Sequence, residues 1–315
     1  MKNRSISTKK KVVSRFIFYS LVTVAILVIS TLISREQADH FLQAWQLWRD
    51  PILAGMICGL VLSLLGVYIL VNRIVFVSLA ISQGASFGIF LAFLLGGWVG
   101  WNLEESSAPL FFGLLVAMAT AAFFARYRKS RRFPDESLIG LIYIATSGLI
   151  ILIGDRISQG RHNIDNLLFG DAVAVTPRDL LLVGCVALPV LLIHLIFRRE
   201  FLYGSADPDF MKIRGMKTNF WLVLLYFSLT AMITASLKVL GALPVFALMV
   251  LPPLVSLKKA GGLRDAFFIS ILIGTLLPFL GYYFSFLFSF PTGASLIGVA
   301  LIYTVASLLE PRLKN

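Results

Sequence analysis

The most constraining feature of the chain is a series of apolar segments between Phe16 and Leu309 that are nearly free of charged residues. About 20 apolar residues cover the hydrocarbon core of a bilayer, where only helices and closed barrels satisfy every backbone polar group. The sequence therefore predicts an all-α, polytopic transmembrane helical bundle of about nine or ten segments, at residues 16–34, 52–71, 75–96, 107–125, 137–154, 180–197, 219–237, 239–257, 264–288 and 294–309.

The composition excludes an ordinary water-soluble domain. Hydrophobic residues make up 58% of the chain, charged residues only 14%, and 26 residues are Phe. The two cysteines, Cys58 and Cys185, lie inside apolar segments, so we expect neither a disulfide framework nor a CxxC site.

The net charge of +12 does not indicate a nucleic-acid partner, because the basic residues mark one side of a membrane. With a cytoplasmic N-terminus and ten crossings, most of the 28 Lys and Arg residues fall in cytoplasmic segments. This bias predicts that both termini are cytoplasmic. The outer loops keep only Arg35, Arg49, Arg156, Arg161, Arg178 and Lys238.

The first 50 residues are predicted to form a separate N-terminal region. A basic tail containing Lys9-Lys10-Lys11 precedes the apolar stretch from Phe16 to Ile33, which lacks a small-x-small cleavage site and is long for a signal peptide. We expect a retained anchor helix, followed at residues 35–50 by an amphipathic helix at the outer interface or by a plain linker. Residues 51–315 then form the transmembrane domain.

Two long apolar stretches contain breaks. Residues 218–257 are interrupted at Gly241 and Pro244 and close with Pro252-Pro253, which predicts that one half is a short or re-entrant helix. The turn sequence Pro291-Thr292-Gly293 divides residues 266–309 into two helices. Small residues four positions apart predict close helix packing at Gly55/Gly59, Gly84/Gly88 and Gly96/Gly100.

The segment 198–217 is a long, polar cytoplasmic loop. Asp207 or Ser205 is placed to cap a short helix that has Pro208 at its first position, runs to Arg214 and ends at Gly215. Such a helix offers a surface to a partner.

At this loop the chain resembles a known family, the membrane permeases of bacterial ABC importers for zinc, manganese and iron (ABC-3 type metal permeases). The resemblance covers about residues 52–309 and implies a fold like that of type II ABC importers. Besides Asp207-Pro208-Asp209-Phe210 and Arg214-Gly215, similar elements are Gly66–Arg73, Leu167–Asp171, Val239–Pro244, Pro252-Pro253 and Pro291-Thr292-Gly293.

The resemblance implies partners. A similar loop in the family docks into a cytoplasmic ATPase, which assigns ATPase coupling here to Asp207, Pro208, Asp209, Phe210, Arg214 and Gly215. It further implies a homodimer, an extracytoplasmic solute-binding protein and a location in the bacterial inner (cytoplasmic) membrane. The chain has no GxxxxGK[ST] phosphate loop, so we expect it not to be an enzyme, to bind no cofactor and to rely on ATP used by the partner subunit.

The chain departs from the family where metal ligands are expected. Family members typically read Gly-Asp-x-x-Ser-His-Ala, with the Asp and His one helical turn apart and able to bind a divalent cation. Here the matching stretch is Ser78-Leu79-Ala80-Ile81-Ser82-Gln83-Gly84, so Leu79 and Gln83 replace the two ligands. The metal-binding residues are therefore unknown.

Neutral polar side chains remain for a translocation path. A Gln amide suits a weakly held cation or a neutral polar solute better than tightly bound Zn²⁺. Hydrogen bonding between helices is the alternative role. The candidates are Ser78, Ser82 and Gln83 on one helix and Tyr143, Thr146 and Ser147 on another.

Of the three histidines, only His194 falls in a membrane segment; His40 and His162 fall in outer segments. His194 is a functional candidate by its position but also fits a hydrogen-bonded structural role. His162 and Asp165, with Asp155 and Asp171 nearby, form either an external metal-collecting patch or a solvated loop.

Together with these features, the resemblance implies an ABC permease that imports a divalent metal. A permease for a metal chelate or another small polar solute, and a degenerate membrane subunit that does not transport, remain alternatives. An ion-coupled secondary transporter is disfavoured, because such coupling normally uses an intramembrane carboxylate.

Overall fold

The computed structural model describes residues 23–99, 108–127, 135–156, 170 and 175–309, apart from positions 26, 29 and 33. The described residues form helices joined by short connections, without strands. A short apolar helix, Thr23–Leu32, comes first. It is followed by α1 (Arg35–Gln43), α2 (Trp45–Val71), α3 (Val75–Val99), α4 (Ala108–Tyr127), α5 (Asp135–Gly154), α6 (Pro177–Ile196), α7 (Arg198–Ala206), α8 (Pro208–Ile213), α9 (Thr218–Leu240), α10 (Ala242–Lys259), α11 (Leu263–Phe288) and α12 (Thr292–Leu309).

Helices α2 to α6 and α9 to α11 are long and apolar enough to cross a membrane, eight within the part of the chain that the structure describes. The predicted all-α transmembrane bundle is therefore confirmed. The other two predicted segments correspond to the shorter apolar helices Thr23–Leu32 and Thr292–Ser307, the latter within α12.

The expected interfacial segment divides into two parts. Helix α1 ends at Gln43, and α2 already begins at Trp45, seven residues before the predicted start at position 52. Pro51 lies within α2 and removes only one backbone donor near the beginning of the helix, where water can satisfy the unpaired carbonyl. A proline and the adjacent charges of Arg49 and Asp50 thus did not stop the helix.

Helix α2 lies at the centre of the bundle and packs against α6, α9, α10 and α11. Its glycines permit this packing. A Cβ at Gly59 would lie 2.0 Å from the carbonyl oxygen of Gly274 in α11, and one at Gly66 would lie 2.1 Å from that of Met249 in α10. The backbones of the three helices are therefore in direct contact, as small residues in a transmembrane helix allow.

Gly241 separates α9 from α10 with a positive φ of 83°. The Tyr282 hydroxyl of α11 donates to the carbonyl oxygen of Val239 at 3.1 Å, which satisfies one acceptor at this break. Both halves reach spanning length, because α10 still has 18 residues and covers about 27 Å. That one half is short or re-entrant stays a prediction; α10 is the shorter half, and its two internal prolines do not end it.

The N-terminal helix and α1 pack on α11 and α12. Thr31 and Tyr283 share a hydrogen bond of 2.7 Å, and Thr23 and Tyr303 share another. The buried ring of Phe41 meets that of Tyr283 edge-on at 5.1 Å. The predicted anchor thus belongs to the packed bundle over its described part, while the basic tail and the first part of the anchor, residues 1–22, lie outside the described residues.

Candidate functional site

The loop between α6 and α9 contains the predicted capped helix. The Asp207 carboxylate accepts a hydrogen bond of 3.0 Å from the backbone N–H of Phe210 and so caps α8. Gly215 has a φ of 71°, and the N–H of Met216 donates to the carbonyl oxygen of Met211 at 3.0 Å to close the helix end. The predicted cap, start and end of this helix are confirmed, with Asp207 rather than Ser205 as the cap.

The outer surface of α8 is exposed and mixed in character. Asp207, Asp209 and Arg214 are exposed, and the Arg214 guanidinium lies 5.2 Å from the centre of the Phe210 ring. Ile213 is 85% exposed. A protruding surface with charges around apolar side chains has the composition of a protein-binding site.

The inner side of this loop is fixed to α2 by a polar contact. The Asn72 amide nitrogen, at the end of α2, donates to the Ser205 hydroxyl at 2.6 Å and to the carbonyl oxygen of Tyr68 at 3.0 Å. Asn72 and Ser205 are both buried. Ser205 therefore holds the loop on the bundle and does not cap α8.

An aromatic cluster reinforces this attachment. Phe201 of α7 is 2% exposed and stacks on His194 of α6 with ring centres 4.1 Å apart. It also contacts Trp221 of α9 at 5.3 Å and Tyr68 of α2 at 5.8 Å. Helices α2, α6 and α9 thus all hold α7.

His194 fits the structural alternative from the sequence. Its Nδ1–H donates to the carbonyl oxygen of Val190 at 2.9 Å, and its ring packs against those of Phe201 and Tyr68. Its buried Nε2 atom has no partner among the described residues. The ring is enclosed by aromatic side chains and faces no described group that would complete a metal site.

The predicted path residues of α3 are enclosed within the protomer. Ser78, Ser82 and Gln83 are all buried, whereas Leu79 is half-buried. The Ser78 hydroxyl donates to the carbonyl oxygen of Val75 at 2.6 Å, and the Ser82 hydroxyl has no partner among the described residues. In this conformation of one protomer these three side chains therefore face its own helices and do not reach its outer surface.

The path residues of α5 are more accessible. Tyr143, Thr146 and Ser147 are half-buried, and the Thr146 hydroxyl donates to the carbonyl oxygen of Ile142 at 2.7 Å. Helix α5 packs against α3. Two neighbouring helices therefore carry all six predicted path residues.

The sequence did not predict an open cleft of about 940 Å³ between α4 and α9. Arg126 and Asn219 line one end of this α4–α9 cleft, and Tyr226 and Thr230 line its deeper part. The sequence contains only weak signals for this cleft, namely the basic residue Arg126 at the end of an apolar segment and the polar residues Tyr226 and Thr230 four positions apart. None of the six predicted path residues lines the cleft.

The predicted outer acidic patch is only partly described. His162, Asp165 and Asp171 lie outside the described residues, and Asp155 is exposed at the end of α5. The described part of the chain holds no group of three or more His, Cys, Asp or Glu side chains suited to a metal ion.

The sequence also missed a polar contact near this end. Asp179 of α6 accepts from the Lys238 ammonium of α9 at 2.8 Å. It also forms a capping box with Thr176, whose backbone N–H donates to the same carboxylate at 2.9 Å. This contact joins the beginning of α6 to the end of α9.

Comparison with known proteins gives consistent relatives. The chain is 26% identical over 276 residues to the "Manganese import system permease protein ScaB" of Streptococcus gordonii, covering 87% of this chain and 92% of that protein. It is 24% identical over 266 residues to the "Manganese transport system membrane protein MntC" of Listeria innocua, covering 84% and 91%. The "Chelated iron transport system membrane protein YfeD" of Yersinia pestis is 24% identical over 272 residues, covering 86% and 88%.

Two solved structures share the fold. One, described as "PsaBC from Streptococcus pneumoniae in complex with Fab", matches with a TM-score of 0.74 and 22% identity over 87% of this chain and 96% of that chain. The other, an inward-facing conformation of a putative metal-chelate type ABC transporter, matches with a TM-score of 0.69 and 17% identity, over 92% and 98%.

The family model described as "ABC 3 transport family" matches residues 44–310, which is most of the chain. The recognition of an ABC permease from its motifs is therefore confirmed, and the chain belongs to the ABC 3 transport family.

Proposed function

We propose that the chain is the permease subunit of an ABC importer for a divalent metal, zinc, manganese or iron. It works in the bacterial cytoplasmic membrane with both termini in the cytoplasm. Two copies form the permease, an external solute-binding protein delivers the substrate, and a separate ATPase supplies the energy. The names of the relatives, which include manganese and chelated iron transport, support this class of substrate.

The observation that carries the proposal is the exposed, capped helix α8. Asp207 and Gly215 fix its beginning and end. Asp209, Phe210 and Arg214 form the surface that contacts the ATPase, and Pro208 sets the first turn. The permease itself binds no cofactor, because ATP is bound and hydrolysed by the partner subunit.

Movement of the ATPase reaches the membrane helices through the inner side of the same loop. The hydrogen bond from Asn72 to Ser205 and the packing of Phe201 join α7 to the cytoplasmic end of α2. A displacement of α8 therefore acts on α2 and, through Trp221, on α9. Through this arrangement, closure of the ATPase on binding nucleotide is transmitted to the membrane helices by only a few side-chain contacts.

The exposed side of α5 supports a homodimer around a central path. Leu141, Ile144 and Leu152 are exposed, and only a small part of the helix is buried in one protomer. Tyr143, Thr146 and Ser147 lie on the same helix and, with Ser78, Ser82 and Gln83, provide neutral oxygen and amide groups. A path of this kind holds a cation weakly, so the external binding protein provides most of the affinity.

The same neutral path favours a second candidate substrate, a metal chelate or another small polar solute. Leu79 offers no ligand, and the neutral Gln83 amide holds a divalent cation less tightly than the carboxylate and imidazole pair of the family. A chelate carries its own metal ligands and needs only polar contacts from the protein.

Metal uptake in intact cells tests the proposal. Cells lacking the gene are compared with complemented cells under zinc, manganese and iron limitation, and cellular metals are measured by mass spectrometry. A fall in one metal, restored by the gene, is the expected result. No change in any metal, together with ATPase activity that responds to no solute, would instead favour the non-transporting subunit.

The docking role is tested by Asp207→Ala with Arg214→Ala. The double variant should reach the membrane normally and lose transport, and ATP hydrolysis should no longer respond to substrate. The matched control is Arg49→Ala with Asp50→Ala. It also removes one basic and one acidic side chain, here an ion pair with 3.2 Å between Arg49 Nε and Asp50 Oδ1, at the other end of the bundle. Normal transport in the Asp207/Arg214 variant would remove α8 from the mechanism.

The substrate is tested by Leu79→Asp with Gln83→His, which restores the family pair. A metal importer tuned for weak binding should then retain metal and transport it more slowly. A path built for a chelate should lose chelate uptake and gain no retention of the bare metal.

A further inference from the structure

The α4–α9 cleft has the shape and lining of a binding site for a chain-like apolar molecule. Its wall on α9 extends from Asn219 to Thr230, a rise of about 16 Å. Met118, Phe123 and Phe227 line it and remain substantially exposed. A concave, mostly apolar cavity of this size is typical of a ligand site.

The basic and exposed polar groups lie at one end of the cleft, whereas Tyr226 and Thr230 in its deeper part are buried. Arg126 stands at the last turn of α4, and Asn219 at the first turn of α9. Both are exposed, and Lys217 immediately precedes α9 without capping it through its side chain. The partial positive charge at the N-terminus of α9 adds to the charges of Arg126 and Lys217.

None of the twelve described residues that line the cleft is acidic. The sequence after α4 continues with Arg128, Lys129, Arg131 and Arg132. On the orientation given by the positive-inside rule, this basic end faces the cytoplasmic leaflet, which carries the anionic lipids.

We propose that the α4–α9 cleft binds one anionic phospholipid of the cytoplasmic leaflet, with the phosphate at Arg126 and Lys217 and an acyl chain along the apolar walls. The inference goes beyond transport and rests on the proposed orientation of the chain in the membrane. The apolar walls of the cleft fit the acyl chain of such a lipid, and its basic end fits the phosphate. A soluble anion would leave Met118, Phe123 and Phe227 without an apolar partner.

Lipid retention by the full chain tests this. Wild-type protein, purified in mild detergent, is exposed to phosphatidylglycerol or phosphatidylcholine, and bound lipid is counted by native mass spectrometry. We expect one phosphatidylglycerol per chain and little phosphatidylcholine. Arg126→Gln should lower the occupancy by phosphatidylglycerol about fivefold, since one basic residue near the membrane surface contributes about that factor.

Three further variants make the result specific. Arg126→Lys keeps the charge and should restore binding, whereas Ala122→Trp fills the cleft and should remove both lipids. Arg264→Gln, which neutralises an exposed basic residue at the beginning of α11, should change nothing. Equal retention in Arg126→Gln, Ala122→Trp and wild type would overturn the proposal.

Two other occupants give distinct results. Displacement of the lipid by inorganic phosphate alone would identify a site for a soluble anion. A change in the ratio of monomer to dimer in Ala122→Trp, with lipid content unchanged, would identify the cleft as a contact between two copies. Either result contradicts a lipid site.

Discussion

Removing the Phe201 ring should detach the loop between α6 and α9 from the membrane bundle while the bundle stays folded. Truncating a buried Phe to Ala costs about 3–5 kcal/mol in a well-packed core. Phe201 is 2% exposed and contacts the rings of His194, Tyr68 and Trp221. Because it lies at the edge of the bundle, where neighbours can relax, we take the lower value of about 3 kcal/mol.

This loss should appear as local opening of α7 and α8. A change of about 3 kcal/mol raises an opening equilibrium roughly 100-fold. Hydrogen exchange of the backbone amides from Phe210 to Arg214 should therefore accelerate by about that factor in Phe201→Ala. Amides in the centre of α2 should keep their wild-type rates.

Phe197→Ala is the matched control, because it removes the same ring one helical turn earlier. Phe197 is 41% exposed, and its ring contacts that of Trp221 at 5.3 Å. We expect a cost of about 1 kcal/mol and an acceleration of roughly fivefold. Equal exchange rates in the two variants, or an unchanged rate in Phe201→Ala, would refute the attachment of α7 described above.

Two further predictions concern packing and charge. Gly59→Ala should lower the melting temperature in detergent, because its Cβ would lie 2.0 Å from the carbonyl oxygen of Gly274. Overpacking of this kind costs about 1–3 kcal/mol. The control Gly184→Ala, at a position with open space in α6, should leave the melting temperature unchanged or raise it. Lys238→Met should destabilise the protein by about 1–2 kcal/mol, because it leaves the largely buried Asp179 carboxylate without its cation. Adding Asp179→Asn should recover part of that loss in a double-mutant cycle, and an additive result would contradict a direct interaction.

Local signals in the sequence were sufficient to predict helix α8. The Asp207 cap, Pro208 at the first position and Gly215 at the end act within one short segment, so their chemistry can be read without the fold. Segment lengths likewise gave the membrane helices, since bilayer thickness sets them. The beginning of α2 was missed because Pro51 and the adjacent charges are usually helix-breaking signals in a membrane segment.

Features formed between distant helices could not be predicted in this way. The α4–α9 cleft joins Arg126 to Asn219, which are far apart in sequence, and the contact between Asn72 and Ser205 joins α2 to α7. The sequence placed Ser82 and Gln83 on the correct helix, but it could not tell that the neighbouring helices enclose them. Packing decides which polar face meets a cavity, and periodicity alone does not contain that information.

The glycine contacts of α2 divide the bundle into two parts of unequal stiffness. Backbones that touch at Gly59 and Gly66 leave no layer of side chains to deform, so we expect α2, α10 and α11 to move together. Helices α2 and α3 scarcely contact each other although they are consecutive, and Arg73 between them has a φ of 58°. We therefore expect relative movement of the helices to be easiest at this turn, with α3, α4 and α5 moving against α2, α10 and α11, and with α9 in contact with both groups.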